Sequence, residues 1–303
     1  MAAPASTEKI REVNVRYHDL AAEHYDSKWG IDYGELGQSQ VTGKVAKALG
    51  GRLGRYERGL EIGAGTGYFG LNMVLAGAIG EYTASDISPG MLGVLSKTAG
   101  VLGIDAETAC TEASELPFAD ESFDIVFGHA VLHHLPDLDG AFREFLRVLR
   151  PGGVVAFCGE PSHYGDRLAE LPKRAAYRLS PAWRTALRAR PVVRGGDAEL
   201  AEEDSLEGVV DVHAFTPGTL AHHARGAGFE GVRIRGEELA ASLFGWANRS
   251  LEATAVPEDV PLLWRKYAYH GYLALQRLDR AVLEPRLPPA VFYNLLVSAR
   301  KPA

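Results

Sequence analysis

Three closely spaced glycines near residue 65 form the part of the sequence best suited to holding a small ligand. Gly63, Gly65 and Gly67 follow the apolar run Leu60–Ile62, as in a buried strand that turns sharply into a helix. Glycine is favoured where the backbone takes a positive φ or a ligand approaches without a Cβ in the way. The first N–H groups of a helix are unpaired, and doubly wound folds bind nucleotides at the carboxyl ends of strands. The spacing therefore predicts a nucleoside ligand.

Two carboxylates accompany these glycines. Asp86 lies 23 residues after Gly63, at the end of the next predicted strand, where a carboxylate can accept two hydrogen bonds from a ribose diol. Glu61 precedes the first glycine by two residues, and its charge suits a cationic ligand and would repel a pyrophosphate. The pattern that ends at Gly70 also matches the dinucleotide fingerprint, so a nicotinamide-dependent oxidoreductase is kept as an alternative.

Histidine spacing raises the question of a metal site. His129 and His133 are four residues apart, which on a helix places two ligands on one face. The stretch follows a predicted strand, Pro136 closes it, and no Glu stands where a zinc protease needs one. The two cysteines belong to no paired motif, which does not favour zinc or a disulfide. We predict no bound metal.

The elements around these residues alternate between strand and helix. Residues 8–50 have the apolar spacing of helices. From residue 55 to 160, helical stretches separate four short apolar runs, Leu60–Ile62, Tyr82–Ser85, Phe123–Phe127 and Val154–Phe157. This alternation is typical of a doubly wound α/β fold with a parallel sheet.

Six segments, taken in order, resemble a known family. They are Glu61–Gly67, Ser85–Leu92, Glu112–Phe118, Ser122–Val126, His133–Leu135 and Leu149–Gly153. Together they resemble the class I S-adenosylmethionine-dependent methyltransferases, in the small-molecule branch that includes quinone-biosynthesis enzymes. The resemblance implies a Rossmann-like, seven-stranded, mostly parallel sheet with an antiparallel last strand and helical lid insertions. It also implies S-adenosyl-L-methionine as the cofactor.

The resemblance further implies which residues contact that cofactor. The glycines pass beneath its methionine part, and Asp86 accepts the ribose hydroxyls. Ile87 and Met91 enclose the adenine, whose amino group donates to Glu112, where the family more usually has Asp. The full set implied is Tyr17, Tyr25, Glu61, Gly63, Ala64, Gly65, Gly67, Asp86, Ile87, Met91, Glu112, Ala113 and His129.

Methyl transfer is an in-line displacement on a sulfonium, so the protein mainly orients the acceptor and excludes water. A general base matters only when the acceptor is a hydroxyl or a protonated amine. His134 and His163 are the candidate bases, because both follow the carboxyl ends of predicted strands, where the site is expected.

We expect the 303 residues to form a single methyltransferase domain. Its expected parts are an N-terminal helical lid over 8–50, a cofactor-binding core over 55–160, two substrate-cap insertions over 161–214 and 239–288, and the remainder of the core sheet over 215–238 and 289–303. In the first insertion, Pro172, Pro181 and Pro191 stand at intervals typical of the first turns of short helices.

The two insertions carry the clues to the acceptor. Three of the four tryptophans lie in them, which favours a small, hydrophobic or aromatic acceptor. The methyl group could be transferred to an oxygen, carbon or nitrogen atom of that acceptor. Between His163 and Arg194, basic residues accompany an apolar stripe. Such a helix suits peripheral contact with anionic lipid or a lipid-like acceptor, although a solvated helix face has the same pattern.

Composition and charge bear on the partners and the location of the protein. A formal charge of -7 and the absence of an appended binding module disfavour nucleic acid as a partner. No apolar run approaches the ~18 residues of a membrane span, so we predict a cytoplasmic protein without a transmembrane segment. A non-catalytic methyltransferase-like module that only binds the cofactor is the second alternative.

Overall fold

The computed structural model describes residues 7–22, 31–51, 53–192 and 213–303, and in them the chain forms two units. The described residues of the first unit come from Met1–Glu160, Glu202–Arg235 and Leu296–Ala303. Those of the second come from Pro161–Ala201 and Gly236–Leu295. The second unit thus corresponds closely to the two stretches that interrupt the predicted alternation of strands and helices.

A single sheet contains seven strands. They are β1 (Tyr56–Ile62), β2 (Ile79–Asp86), β3 (Ala106–Cys110), β4 (Phe123–His129), β5 (Leu149–Pro161), β6 (Glu230–Glu237) and β7 (Asn294–Arg300). Their order is β3-β2-β1-β4-β5-β7-β6, and the pairs β1/β2, β1/β4, β2/β3 and β4/β5 are parallel. The prediction of a seven-stranded, mostly parallel, doubly wound sheet is confirmed.

Nine α-helices are found among the described residues. They are α1 (Thr7–Ala21), α2 (Glu35–Leu49), α3 (Tyr68–Leu75), α4 (Pro89–Leu102), α5 (Leu138–Val148), α6 (His163–Leu187), α7 (Pro217–Gly226), α8 (Ala240–Glu252) and α9 (Leu262–Leu278). Local sequence explains where several begin: Ser88 accepts a hydrogen bond from Met91 N at 3.0 Å, and Pro89 occupies the first turn of α4. Within the described ranges, no helix has both the length and the apolar character needed to cross a membrane.

Aromatic side chains fill the core beside β5. Phe142 and Phe145 of α5 are fully buried, and their ring centroids lie 6.4 and 5.1 Å from that of Phe157. Their spacing places both on one face of the helix. This packing holds α5 against the sheet and thereby the strand ends that carry the site.

The second unit corrects the expectation about its prolines. Pro172 and Pro181 lie inside the 25-residue helix α6 instead of opening short helices, and Pro191 forms an isolated bridge with Ala255. A proline within a helix leaves the carbonyl four residues earlier without its usual partner. For Pro181 the hydroxyl of Ser180 fills that role, donating to the Tyr177 carbonyl at 2.9 Å. A neighbouring side chain therefore allows the helix to continue.

Candidate active site

A cleft opens in the first unit at the carboxyl ends of β1, β2, β3 and β4. It encloses about 930 Å³ of space, its open mouth included. The strand order reverses between β1 and β4, the position where doubly wound folds bind ligands. Among the predicted site residues, those lining the cleft are Gly63, Gly65, Asp86, Ile87, Met91, Glu112, Ala113, His129 and His134.

The glycine loop between β1 and α3 depends on backbone conformations that other residues rarely adopt. Gly63, Gly65 and Gly67 have φ angles of +62°, +53° and +93°. A Cβ on Gly63 would lie 2.3 Å from a methyl carbon of Val131, whereas one on Gly65 would meet no atom within 4 Å. Since Gly65 lines the cleft, a side chain there would project into space that the bare backbone leaves to a ligand.

Asp86 joins two loops at the base of the cleft. Its Oδ2 accepts from Gly65 N and its Oδ1 from Ser88 N, each at 2.8 Å. An ionised carboxylate has about four acceptor positions, so two remain after these bonds. The donor chemistry that suits them is a pair of hydroxyl groups, as on a ribose.

Glu61 lies beneath the loop and does not line the cleft. Its Oε2 accepts from the Tyr82 hydroxyl and, at 3.1 Å, from Gly70 N. Burial raises the pKa of Glu61 to about 8, although the hydrogen bonds from Tyr82 and Gly70 act in the opposite direction. A Cβ on Gly70 would stand 2.3 Å from Oε2. Gly70 therefore makes room for Glu61, which ties the start of α3 to β1.

Stability is expected to depend on pH through Glu61. Its native pKa of about 8 lies above its ordinary value of 4.5, so the native state holds the proton more tightly than the unfolded state. This stabilisation is fully present below about pH 4.5 and is lost as the pH rises to about 8. Across that window we expect the free energy of unfolding to fall by roughly 3–5 kcal/mol more in the wild type than in Glu61→Gln.

Denaturant unfolding at a series of pH values measures this difference. Glu57→Gln, at an exposed position of the same strand, is the matched control and should follow the wild type. Equal pH slopes for the wild type and Glu61→Gln would contradict the prediction.

At the opposite end of the cleft, Glu112 meets the N-terminal helix. Its Oε2 forms an ion pair with an Nη of Arg11 on α1. Partial burial raises the pKa of Glu112, and the nearby Arg11 charge lowers it. The neighbouring lining residues Met91 and Ile87 supply apolar surface to this part of the cleft.

A short 3₁₀ turn, Leu132–His134, follows β4 and presents His134 to the cleft. The fully buried Glu160 at the end of β5 holds this turn. Its carboxylate accepts from the backbone N–H groups of Val131, Leu132 and His133 at 3.0–3.1 Å and lies 2.9 Å from His133 Nδ1. The His133 and His134 rings lie 3.9 Å apart, so Glu160 sets the position of His134 through its neighbour.

Several predicted residues lie elsewhere. Ala64 and Gly67 belong to the loop without lining the cleft: Ala64 N donates to Ser85 O, and Gly67 begins α3. Tyr17 is buried on α1, whereas Tyr25 falls outside the described residues. His163 begins α6 in the second unit, with an exposed side chain. The structure thus brings His134, and not His163, to the cleft of the first unit.

Three polar cleft residues on α1 were not predicted from the sequence. Arg11, Asn14 and His18 of α1 line the cleft, and the His18 ring meets the His134 ring edge-on at 5.6 Å. Their signal was the spacing of three and four residues, which places polar side chains on one helix face. That spacing does not reveal which surface the face covers.

The histidines considered as metal ligands are held by other contacts. The His129 ring stacks on Phe69 at 5.0 Å, and His133 faces Glu160. In the part of the chain that the structure describes, no three His, Cys, Asp or Glu side chains are grouped closely enough to hold a metal ion.

Comparison with known proteins agrees with this architecture. Residues 60–157 match the methyltransferase domain family model. The chain is 33% identical over 238 residues to a malonyl-[acyl-carrier protein] O-methyltransferase of Methylococcus capsulatus, covering 78% of this chain and 72% of the relative. It is 31% identical over 202 residues to a demethylmenaquinone methyltransferase of Mycolicibacterium paratuberculosis, covering 66% and 79%.

A solved structure shows the same fold over the full length. The [4+2]-cyclase SpnF aligns with a TM-score of 0.60 at 20% identity, covering all of both chains. The family assignment itself comes from the two sequence relatives. The chain belongs to the class I S-adenosylmethionine-dependent methyltransferases.

Proposed function

We propose that this enzyme methylates a small, hydrophobic acceptor, that the predicted residues of the cleft hold the cofactor, and that His134 serves as general base. The observation that carries the proposal is the lining of one cleft, which includes Gly65, Asp86 and His134. A cofactor site and a proton acceptor thus share the same enclosed space.

The donor set fits S-adenosylmethionine. The open face of Gly65 leaves room for the cofactor, and the remaining acceptor positions of Asp86 suit its ribose hydroxyls. Ile87 and Met91 offer apolar surface to an adenine, and Glu112 and the Ala113 backbone offer polar groups to its edge. When bound, the cofactor would supply the methyl group of its sulfonium: the acceptor atom would bond to the methyl carbon in line with the carbon–sulfur bond, which would break and leave the sulfur as the thioether of S-adenosylhomocysteine.

The residues after β4 prepare the acceptor. His134 takes the proton from a hydroxyl or ammonium group of the acceptor. Its ring is positioned by the turn whose backbone N–H groups donate to Glu160. The hydrophobic character of the acceptor is supported by the apolar lining beside His134, Val131 and Leu135. The relative named for demethylmenaquinone also supports an apolar acceptor, whereas the one named for malonyl-[acyl-carrier protein] leaves a carrier-bound acyl acceptor open to test.

Replacing His134 by alanine tests its role as general base. We expect kcat to fall roughly a hundredfold to a thousandfold, because proton transfer loses its acceptor, while the Kd for S-adenosylhomocysteine stays within about twofold. Single-turnover kinetics and calorimetry measure the two quantities. His222→Ala, an exposed histidine on α7, is the control, and an unchanged rate in His134→Ala would remove this residue as the base.

Identifying the acceptor requires a product. Incubating the wild type with labelled cofactor and cell extract, then characterising the labelled compound, gives its chemical class directly. Tight cofactor binding without any labelled product would instead favour a non-catalytic module. His163 stays a predicted general base. The two stretches that form the second unit stay predicted determinants of the acceptor, to be examined by the same assay.

Peripheral lipid contact is a further part of the proposal. On α6 the side chains of Leu171 and Leu179 are 65% and 63% exposed, and Arg174 lies on the same helix. We expect wild-type protein to sediment with phosphatidylglycerol vesicles and a Leu171→Glu, Leu179→Glu variant to remain in the supernatant. Val101→Glu, at an exposed apolar position of α4, should sediment as the wild type does; equal behaviour of all three would contradict lipid contact.

The cytoplasmic location inferred from the sequence remains a prediction.

A further inference from the structure

Helix α1 presents a polar face to the cleft. Arg11, Asn14 and His18 occupy one side of the helix and line the same cavity as Gly65 and Asp86. A helix that only covered a site would be expected to bury apolar side chains there. The polar face therefore points to recognition of a ligand.

Contacts within the protein hold α1 near both of its ends. Arg11 pairs with Glu112 at one end. At the other end, Asp19 Oδ1 accepts from the Ser88 hydroxyl at 2.5 Å and from Gly90 N at 3.0 Å, where the N-terminus of α4 favours a negative charge. The middle of the helix is thereby placed over the cleft without help from a ligand.

Asn14, between these anchors, has a buried oxygen without a partner. Its side chain is only 4% exposed, and its Nδ2 donates to Ile10 O at 3.0 Å. That bond determines which way the amide points. Among the residues that the structure describes, the Oδ1 atom has no hydrogen-bond partner, and the Nε atom of Arg11, three residues earlier, lacks one as well. Buried polar groups in proteins are almost always paired, so an unpaired acceptor on a residue that lines the cleft indicates a missing donor.

We propose that Asn14 Oδ1 accepts a hydrogen bond from an N–H or O–H group of the bound cofactor. This inference rests on the proposed placement of the cofactor in the cleft, and it adds a direct contact from α1. The cofactor offers three kinds of donor: ribose hydroxyls, the adenine amino group and the methionine ammonium. Helix α1 would then both cover the cofactor and bind it directly.

Asn14→Leu is the decisive variant, because leucine has a similar volume and no acceptor. We expect the Kd for S-adenosylhomocysteine, measured by calorimetry, to rise about tenfold. The Tm of the ligand-free variant should change little, because the lost bond from Nδ2 to Ile10 O is balanced by the removal of a buried oxygen that has no partner among the described residues. Asn14→Asp, which keeps an acceptor, should bind more tightly than Asn14→Leu.

A matched control separates this contact from helix packing. Asn248 on α8 is also buried, and its Nδ2 donates to the carbonyl four residues earlier, Phe244 O, at 2.8 Å. Asn248→Leu should leave the Kd unchanged. A wild-type Kd in Asn14→Leu, or an equal loss of affinity in Asn248→Leu, would overturn the proposal. Failure of the wild type to bind S-adenosylhomocysteine would instead overturn the placement of the cofactor.

Shorter ligands identify the donor. Methylthioadenosine has the adenine and ribose but no ammonium group. If Asn14→Leu weakens its binding as much as that of S-adenosylhomocysteine, the donor belongs to the adenosine part. If only S-adenosylhomocysteine is affected, the donor is the ammonium group.

Discussion

Asp86→Ala is expected to weaken S-adenosylhomocysteine binding by about a hundredfold or more. The carboxylate has a double role in the proposed site: it holds the glycine loop and the start of α4 through Gly65 N and Ser88 N, and it faces the cleft. Hydrogen bonds to a charged group contribute roughly 1.5–3 kcal/mol each. The loss of two such hydrogen bonds to a ribose therefore accounts for an increase in Kd of at least about two orders of magnitude.

The control for Asp86 lies at the amino end of its strand, whereas Asp86 lies at the carboxyl end of β2. Asp124, at the start of β4, accepts from Arg58 N at 2.8 Å and from Arg150 Nη1 at 3.0 Å. Asp124→Ala should lower Tm while leaving the Kd unchanged, because its partners are structural and it does not line the cleft. Calorimetry and thermal unfolding on both variants, together with Asp86→Asn, give the comparison. Wild-type affinity in Asp86→Ala would refute the assignment of the ribose site.

Glu160→Leu is expected to cause the largest loss of stability. Its carboxylate is fully buried and serves three backbone N–H groups and His133 Nδ1, all of which would lose their partner. Removing one side of such a buried charged network costs about 3–5 kcal/mol. For a chain of this size we expect Tm to fall by roughly 10 °C.

The same variant should also slow catalysis, because the turn that carries His134 loses its support. At a temperature where Glu160→Leu remains folded, we expect kcat to fall at least about tenfold with a smaller change in the Kd for S-adenosylhomocysteine. Glu160→Gln should recover part of kcat, since one oxygen can still accept from the turn. Glu144 lies on α5 and accepts from Leu116 N, so Glu144→Leu should lower Tm with kcat unchanged. Equal kcat values in Glu160→Leu and the wild type would remove Glu160 as a positioning residue.

Local spacing accounts for what could be predicted of the cofactor cleft. A strand, a run of glycines and a helix follow one another within a few residues. The conformation of the loop between them is therefore determined by residues that are neighbours in the sequence. Asp86 follows by the same rule, because it ends the next strand. The prediction from Glu61 was less complete: its type and position were evident, but its burial beneath Tyr82 and Gly70 was not.

The prolines of α6 show a limit of local rules. Proline lacks an N–H and is disfavoured inside a helix, which led to the expectation of several short helices. One long helix forms nevertheless, because Ser180 satisfies the carbonyl opposite Pro181 and because α6 packs on α8 within the second unit. The hydrogen bond from Ser180 and the packing against α8 together outweigh the low helix propensity of a single proline.

The sequence by itself determined the alternation of strands and helices, the glycine loop, Asp86 and the family resemblance, since each depends on residues close together in the chain. Only the tertiary structure decided that Glu160 holds the turn that contains His134, that Arg11 and Asn14 line the cleft, and that two distant stretches form one unit. The physical reason is that these contacts join residues tens of positions apart. Which residues come into contact depends on how the helices and strands pack against one another. The spacing of residues within one helix or strand does not predict that packing.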